Sequence, residues 1–200
     1  MRSADDIVKP RESMATPLLD ALLALQCLQD LPRTGWIQRG ISDPESIAGH
    51  VLGTCELILA LGPRVAPPLA TERALALAVV HDAPEALLGD LPRSASELLP
   101  PGAKRAAEDK AAQRLLGPLS PLAEALYAEH ARGESREARF VRVCARLQLG
   151  LRLLGYRRAG RGGLREFEAT LRELDCGEFA PARALQAELL AELAQLDSLA

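Results

Sequence analysis

Nowhere does this chain alternate apolar and polar residues over the length a half-buried strand requires, and that absence constrains its fold more than any motif does. Leucine and alanine recur at helical spacing instead. The whole chain holds three Phe, two Tyr and one Trp, too few of the residues that favour pleated surfaces, while Leu and Ala favour close-packed helices. An all-α bundle is the expectation. With 48% apolar residues in 200, a single core is affordable. The expected division is a flexible N-terminal segment over residues 1–15 and one domain over residues 16–200.

Helix signals follow in order. TPLLDALLALQCLQD reads as a first helix, and a turn around LPRTGW leads to a second. There Ser42 and Asp43 are cap candidates, Pro44 suits a first turn, and Glu45 completes a capping box. Ile47, Val51, Cys55 and Ile58 form its apolar stripe, and GPRVAPP breaks it. A third helix opens near Thr71 and runs to His81, and Pro84 restarts a short one. LPRSASELLPPG reads as a loop. Helices are then expected through AKRAAEDKAAQRLL, SPLAEALYAEHA, EARFVRVCARLQLGLRLLGY, LREFEATLREL and PARALQAELLAELAQL, the last Ala/Leu-rich enough to serve as an interface.

Several functions are disfavoured. A formal charge of -3, without a basic run interleaved with aromatics, argues against a nucleic-acid polymer as partner. Cys27, Cys55, Cys144 and Cys176 show no CxxC spacing. Met1 to Pro17 lacks the apolar core of a signal peptide and no run reaches membrane-spanning length, so the cytoplasm is expected. Phosphate-loop, dinucleotide and nucleophile-elbow motifs are missing. His130, and the group Arg157, Arg158 and Arg161, read as solvated surface.

Chemistry concentrates in HDAPEALLGD, His81 to Asp90. An adjacent His-Asp pair offers an imidazole nitrogen and a carboxylate oxygen to one divalent cation. Glu85 falls on their face if the segment is helical, and Asp90 follows a helix-ending glycine. His50 lies thirty-one residues upstream, beside an apolar helical stripe. Helices joined by a short break pack antiparallel, which can set His50 opposite His81 and Asp82.

Three blocks carry a resemblance: PRTGWIQRGISDPESIAGH, HDAPEALLGDLP and EHARGESREARFV. In order and spacing they resemble the HD-domain superfamily of metal-dependent phosphohydrolases, and within it the 5'-deoxynucleotidase branch. The resemblance implies an HD-domain helical bundle and a divalent cation (Mn, Co, Zn or Mg) on His50, His81 and Asp82. It also implies Glu85 in proton transfer, Asp90 beside it, and Arg39 and Trp36 against a nucleoside monophosphate substrate, with Trp36 equally readable as core. A homodimer is expected. One departure is plain: the family's last metal aspartate aligns with Ala145, next to Cys144, and Gly49 replaces the usual acid before the first histidine. The alternative expectation is therefore an HD fold that binds nucleotide with little or no turnover.

Overall fold

The computed structural model describes residues 16–198, and the segment expected over residues 1–15 lies outside them. Among the described residues the regular structure is helical, apart from one isolated antiparallel bridge between Pro32 and Ser46. The helices are α1 (Pro17–Gln26), α2 (Thr34–Ile37), α3 (Ile47–Leu61), α4 (Thr71–Val80), α5 (Glu85–Leu88), α6 (Arg93–Ser96), α7 (Ala103–Leu116), α8 (Pro121–Arg132), α9 (Arg136–Arg158), α10 (Arg165–Arg172) and α11 (Ala180–Ser198).

Helices α1, α3, α8 and α9 start where side chains can satisfy free backbone N–H groups. Thr16, Ser46, Ser120 and Ser135 each accept from the N–H three residues on, and Pro17 and Pro121 occupy first turns. Each cap contributes about 1 kcal/mol. The cap of α3 is thus Ser46, four residues later than the Ser42 capping box expected. The intervening backbone is committed elsewhere: Arg33 N–H donates to Glu45 O at 3.0 Å, Ile47 N–H to Leu31 O at 2.9 Å, and Glu45 N–H to the Tyr156 hydroxyl at 3.0 Å. The expected loop over residues 91–102 also contains the single turn of α6.

Helix α9 is the axis of the bundle, packed by α3, α4, α8, α10 and α11. Its inward residues Phe140, Val141, Cys144, Leu147 and Leu153 are buried, as the leucine spacing requires. Burial of one such side chain stabilises by roughly 1.5–3 kcal/mol. Small residues set how near the helices come. Ala74, Ala78 and Ala138 are fully buried, and a Cβ on Gly150 would lie 2.8 Å from Leu171 Cδ1. On α11 the inward leucines Leu189 and Leu193 join the core, and Gln186 donates to Leu171 O and Leu174 O at 2.8 Å. Among the described residues, exposed leucines also occur singly or in pairs elsewhere, but four gather on α1: Leu18, Leu19, Leu22 and Leu23.

Candidate metal centre

Antiparallel packing of α3 and α4 brings the first turn of α3 beside the residues that leave α4. His50 lies on that first turn, and His81 and Asp82 directly follow Val80. One donor atom from each of the three lies within 4.8 Å of the others, and the two imidazole centroids are 5.5 Å apart. Asp82 Oδ2 lies 3.2 Å from His81 Nε2 and 3.7 Å from His50 Nε2. Both Nδ1 atoms face away and are engaged. His81 Nδ1 donates to Ala78 O at 2.7 Å, and His50 Nδ1 donates to Gln148 Oε1 at 2.5 Å. That fixes both rings with the Nε2 lone pair turned inward, the tautomer a metal ligand needs.

Three buried atoms here have no hydrogen-bond partner: His81 Nε2, Asp82 Oδ2 and Glu85 Oε2. Orphaned buried groups of this kind cost roughly 1–3 kcal/mol each, and two of them belong to the His50–His81–Asp82 group, so that group needs an explanation. Two nitrogens and a carboxylate fit a divalent cation. The charge states of His50 and Asp82 agree, while His81 shares its proton with Asp82 until a cation displaces it. Burial, reinforced by Arg33, pushes the His50 pKa down to about 3, so the ring is neutral. Burial opposes the charge on Asp82 as well, yet His81, His50 and Arg33 hold its carboxyl well below the usual range. Burial likewise disfavours charge on His81, but the adjacent Asp82 outweighs it and raises that pKa.

Glu85 opens α5 at the edge of this group. Burial first, then the charges of Asp82 and Asp90, push its pKa up to about 9, so it carries a proton at neutral pH. Asp90 Oδ2 accepts the Thr34 N–H at 2.5 Å, and Thr34 Oγ1 donates to Asp90 O at 2.9 Å. Asp90 therefore pins the start of α2 to the end of α5. Both acids line a cleft of about 980 Å³ with Arg33, Trp36, Arg39 and Arg146, at the upper end of the ~300–1,000 Å³ common for ligand pockets. Arg39 stands in this cleft paired with Glu166. Trp36 borders it too, but is only 1% exposed, stacked on Phe167 at 3.9 Å and edge-on to Tyr156 at 5.0 Å. Its ring is mostly core. Arg33, whose Nη1 lies 3.7 Å from Asp82 Oδ2, is a site residue beyond those the sequence points to, and its one signal there is that it opens the RTGW run.

The family model described as HD domain matches residues 25–175. The chain belongs to the HD domain family. It is 30% identical over 154 residues to the 5'-deoxynucleotidase hdd1 of Schizosaccharomyces pombe, covering 73% of this chain and 74% of that protein. It is 28% identical over 146 residues to the human 5'-deoxynucleotidase HDDC2, covering 71% and 69%. A crystal structure of a Pyrococcus horikoshii protein superposes with a TM-score of 0.76 at 29% identity, covering 87% of this chain and 99% of that one.

In this HD domain Ala145 is half-buried on α9, one turn before Gln148, so the same face that holds His50 presents a methyl at the position that the resemblance aligns with the family's metal aspartate. Cys144 does not replace it. The thiol is fully buried in the core, and burial pushes its pKa up, away from the thiolate that ligates metals.

His130 departs from the surface position expected. It lies half-buried in the last turn of α8, its ring centroid 5.5 Å from that of His81, and its Nδ1 is buried without a partner. All three histidines of the chain therefore form one row. Burial, then the His81 charge, pulls the His130 pKa down to about 4. Ordinary histidine in the unfolded chain titrates near 6.5, so between about 6.5 and 4 the unfolded state binds more protons. Stability from neutral His50 and His130 is present above pH 6.5 and is lost as pH falls through that window. We expect the melting temperature of metal-free protein to drop between pH 6.5 and 4, and His130→Gln to flatten that slope. An unchanged slope would show that His130 is not desolvated in solution.

Proposed function

We propose that this HD domain is a divalent-cation-dependent phosphohydrolase that releases phosphate from deoxynucleoside 5'-monophosphates. The observation that carries the reading is the convergence of His50, His81 and Asp82 donor atoms beside a protonated Glu85, at the wall of a cleft that also holds Arg33 and Arg39. The names of the relatives support the substrate class.

His50, His81 and Asp82 would hold the cation. A bound divalent ion supplies a nucleophilic water at neutral pH and neutralises phosphoryl oxygens. The chain's own groups do the rest. Glu85 hands its proton to the departing 5'-oxygen, which leaves poorly as an alkoxide. Asp90 keeps that proton on Glu85 by its charge and holds α2, which carries Trp36, against the cleft. Arg33 and Arg39 provide planar guanidinium groups suited to two phosphate oxygens each, Arg39 by exchanging Glu166 for substrate.

Assayed with Mn²⁺, Co²⁺, Zn²⁺ and Mg²⁺, the protein should release phosphate from 5'-monophosphates and not from 3'-monophosphates. Equal rates on both would refute the 5' assignment. Ala145 favours a second reading, nucleotide binding with little turnover, and one substitution separates the two. Restoring an anionic oxygen with Ala145→Asp should raise Mn²⁺ affinity about tenfold, roughly 1.4 kcal/mol, and activity with it. In a site adapted to another use, the same carboxylate would be buried unpaired, lowering the melting temperature without tighter Mn²⁺ binding.

Residues 16–200 acting as one domain, a cytoplasmic location and a homodimer complete the proposal. None of the helices described is long and apolar enough to cross a membrane. For the dimer, the exposed leucines of α1 are the surface that burial against a second copy would relieve, rather than α11. Sedimentation of Leu19→Glu/Leu23→Glu beside wild type tests this, and a wild-type monomer contradicts it.

A further inference from the structure

We infer that Gln148 and Glu45 form a positioning relay that sets how tightly His50 holds a cation and ties that ligand to the wall of the substrate cleft. The inference rests on the cation-site reading above. Gln148, a nearly fully buried glutamine in the apolar run of α9, reaches across to α3, where its Oε1 accepts the His50 Nδ1–H at 2.5 Å. Its Nε2 donates to Glu45 Oε2 at 2.6 Å, and Glu45 Oε1 accepts the Trp36 indole N–H at 3.1 Å. Arg152 Nε stands 3.4 Å from the same Glu45 Oε2, and the Arg152 Nη2 and Glu45 N–H both donate to the Tyr156 hydroxyl at 3.0 Å.

The residue types are specific to this task. A ring N–H must meet an acceptor and a carboxylate must meet a donor, and an amide offers the two from separate atoms, carbonyl oxygen and NH2. Its orientation is therefore fixed, and with it the His50 tautomer that leaves Nε2 free. Outer partners of this kind typically change metal affinity by 10- to 100-fold when removed.

A separate observation points the same way. Gly53, one turn beyond His50 on α3, faces Gln148, and a Cβ there would lie 2.9 Å from Gln148 Cγ and 3.1 Å from its Nε2. Glycine within a helix costs about 1 kcal/mol against alanine, so something must be gained by its presence. The gain is room for the Gln148 amide.

Titration of metal-stripped protein with Co²⁺, followed by its visible absorption, tests the relay. Gln148→Leu should bind Co²⁺ about 10- to 100-fold more weakly than wild type. Gly53→Ala should also bind more weakly, although it touches no ligand and adds a better helix former. Gln148→Glu alone sets two carboxylates together and should be impaired. Combined with Glu45→Gln, it exchanges donor and acceptor while keeping the hydrogen bonds from His50 through residues 148 and 45 to Trp36 and giving up the Arg152–Glu45 ion pair, so the double variant should recover part of the affinity lost in Gln148→Glu. Imidazole ¹⁵N shifts should report protonated Nδ1 on His50 in wild type and in the double variant, and mixed tautomers in Gln148→Leu. Wild-type Co²⁺ affinity in both Gln148→Leu and Gly53→Ala, or a double variant no better than Gln148→Glu, overturns the relay. A wild-type protein that binds no Co²⁺ overturns the cation-site reading itself, and the relay with it.

Discussion

Glu85→Gln should lower phosphate release from a deoxynucleoside 5'-monophosphate by about a hundredfold or more, while cation affinity stays within a few-fold of wild type. The substitution keeps the shape and hydrogen-bonding capacity of the side chain and removes the transferable proton. Glu85 is not one of the three converging donors, so their geometry survives. Its protonated state follows from burial and from the flanking charges of Asp82 and Asp90, which make it an acid at a pH where ordinary glutamate is a base. Parallel measurement of kcat and of Co²⁺ affinity checks this. Full activity in Glu85→Gln would remove Glu85 from proton transfer, and loss of both properties together would make it a ligand.

Asp82→Asn should abolish the stabilisation that a cation gives the fold. A ligand at a hundred times its Kd stabilises the native state by about 2.7 kcal/mol, which for a chain of this size raises the melting temperature by about 5–10 °C. Asp82 brings the one anionic oxygen that faces both His50 Nε2 and His81 Nε2. An amide oxygen in its place is neutral, and the shift on adding Zn²⁺ or Mn²⁺ should fall to near zero. Thermal melts of both proteins, with and without the ion, decide the matter. An equal shift in Asp82→Asn would place the cation elsewhere.

Those donors were legible because two of them are sequence neighbours and the third sits beside a regular apolar stripe. Helical spacing located α3, α4, α7, α8, α9 and α11 for the same reason: one face of each must be apolar to join the bundle. What stayed hidden depends on contacts between residues far apart in sequence. Gln148 lies 98 residues from His50, and within LQLG it resembles any polar residue on a helix. Its signal was a polar side chain in register with the buried stripe, one turn after Ala145, with Gly53 similarly one turn after His50. The position of Glu45 fits a capping motif, yet Ser46 caps the helix by accepting the Gly49 N–H, and Glu45 turns inward to Trp36 and Gln148. EHARGES reads as surface because it is polar apart from Ala131 and Gly133, and the structure corrects this for His130. In the fold, Glu129 pairs with Arg73 of α4 and accepts the Ser135 hydroxyl at 2.7 Å, drawing the end of α8 onto α4 and turning His130 toward His81.

The most direct measurement is phosphate release from a deoxynucleoside 5'-monophosphate by metal-stripped protein as Co²⁺ is added back by equivalents. We expect background hydrolysis without the ion, a rise in proportion to added Co²⁺, and saturation at one equivalent per chain. Release that stays at background across the titration, or that is unchanged by stripping, would contradict a cation-dependent phosphohydrolase built on His50, His81 and Asp82.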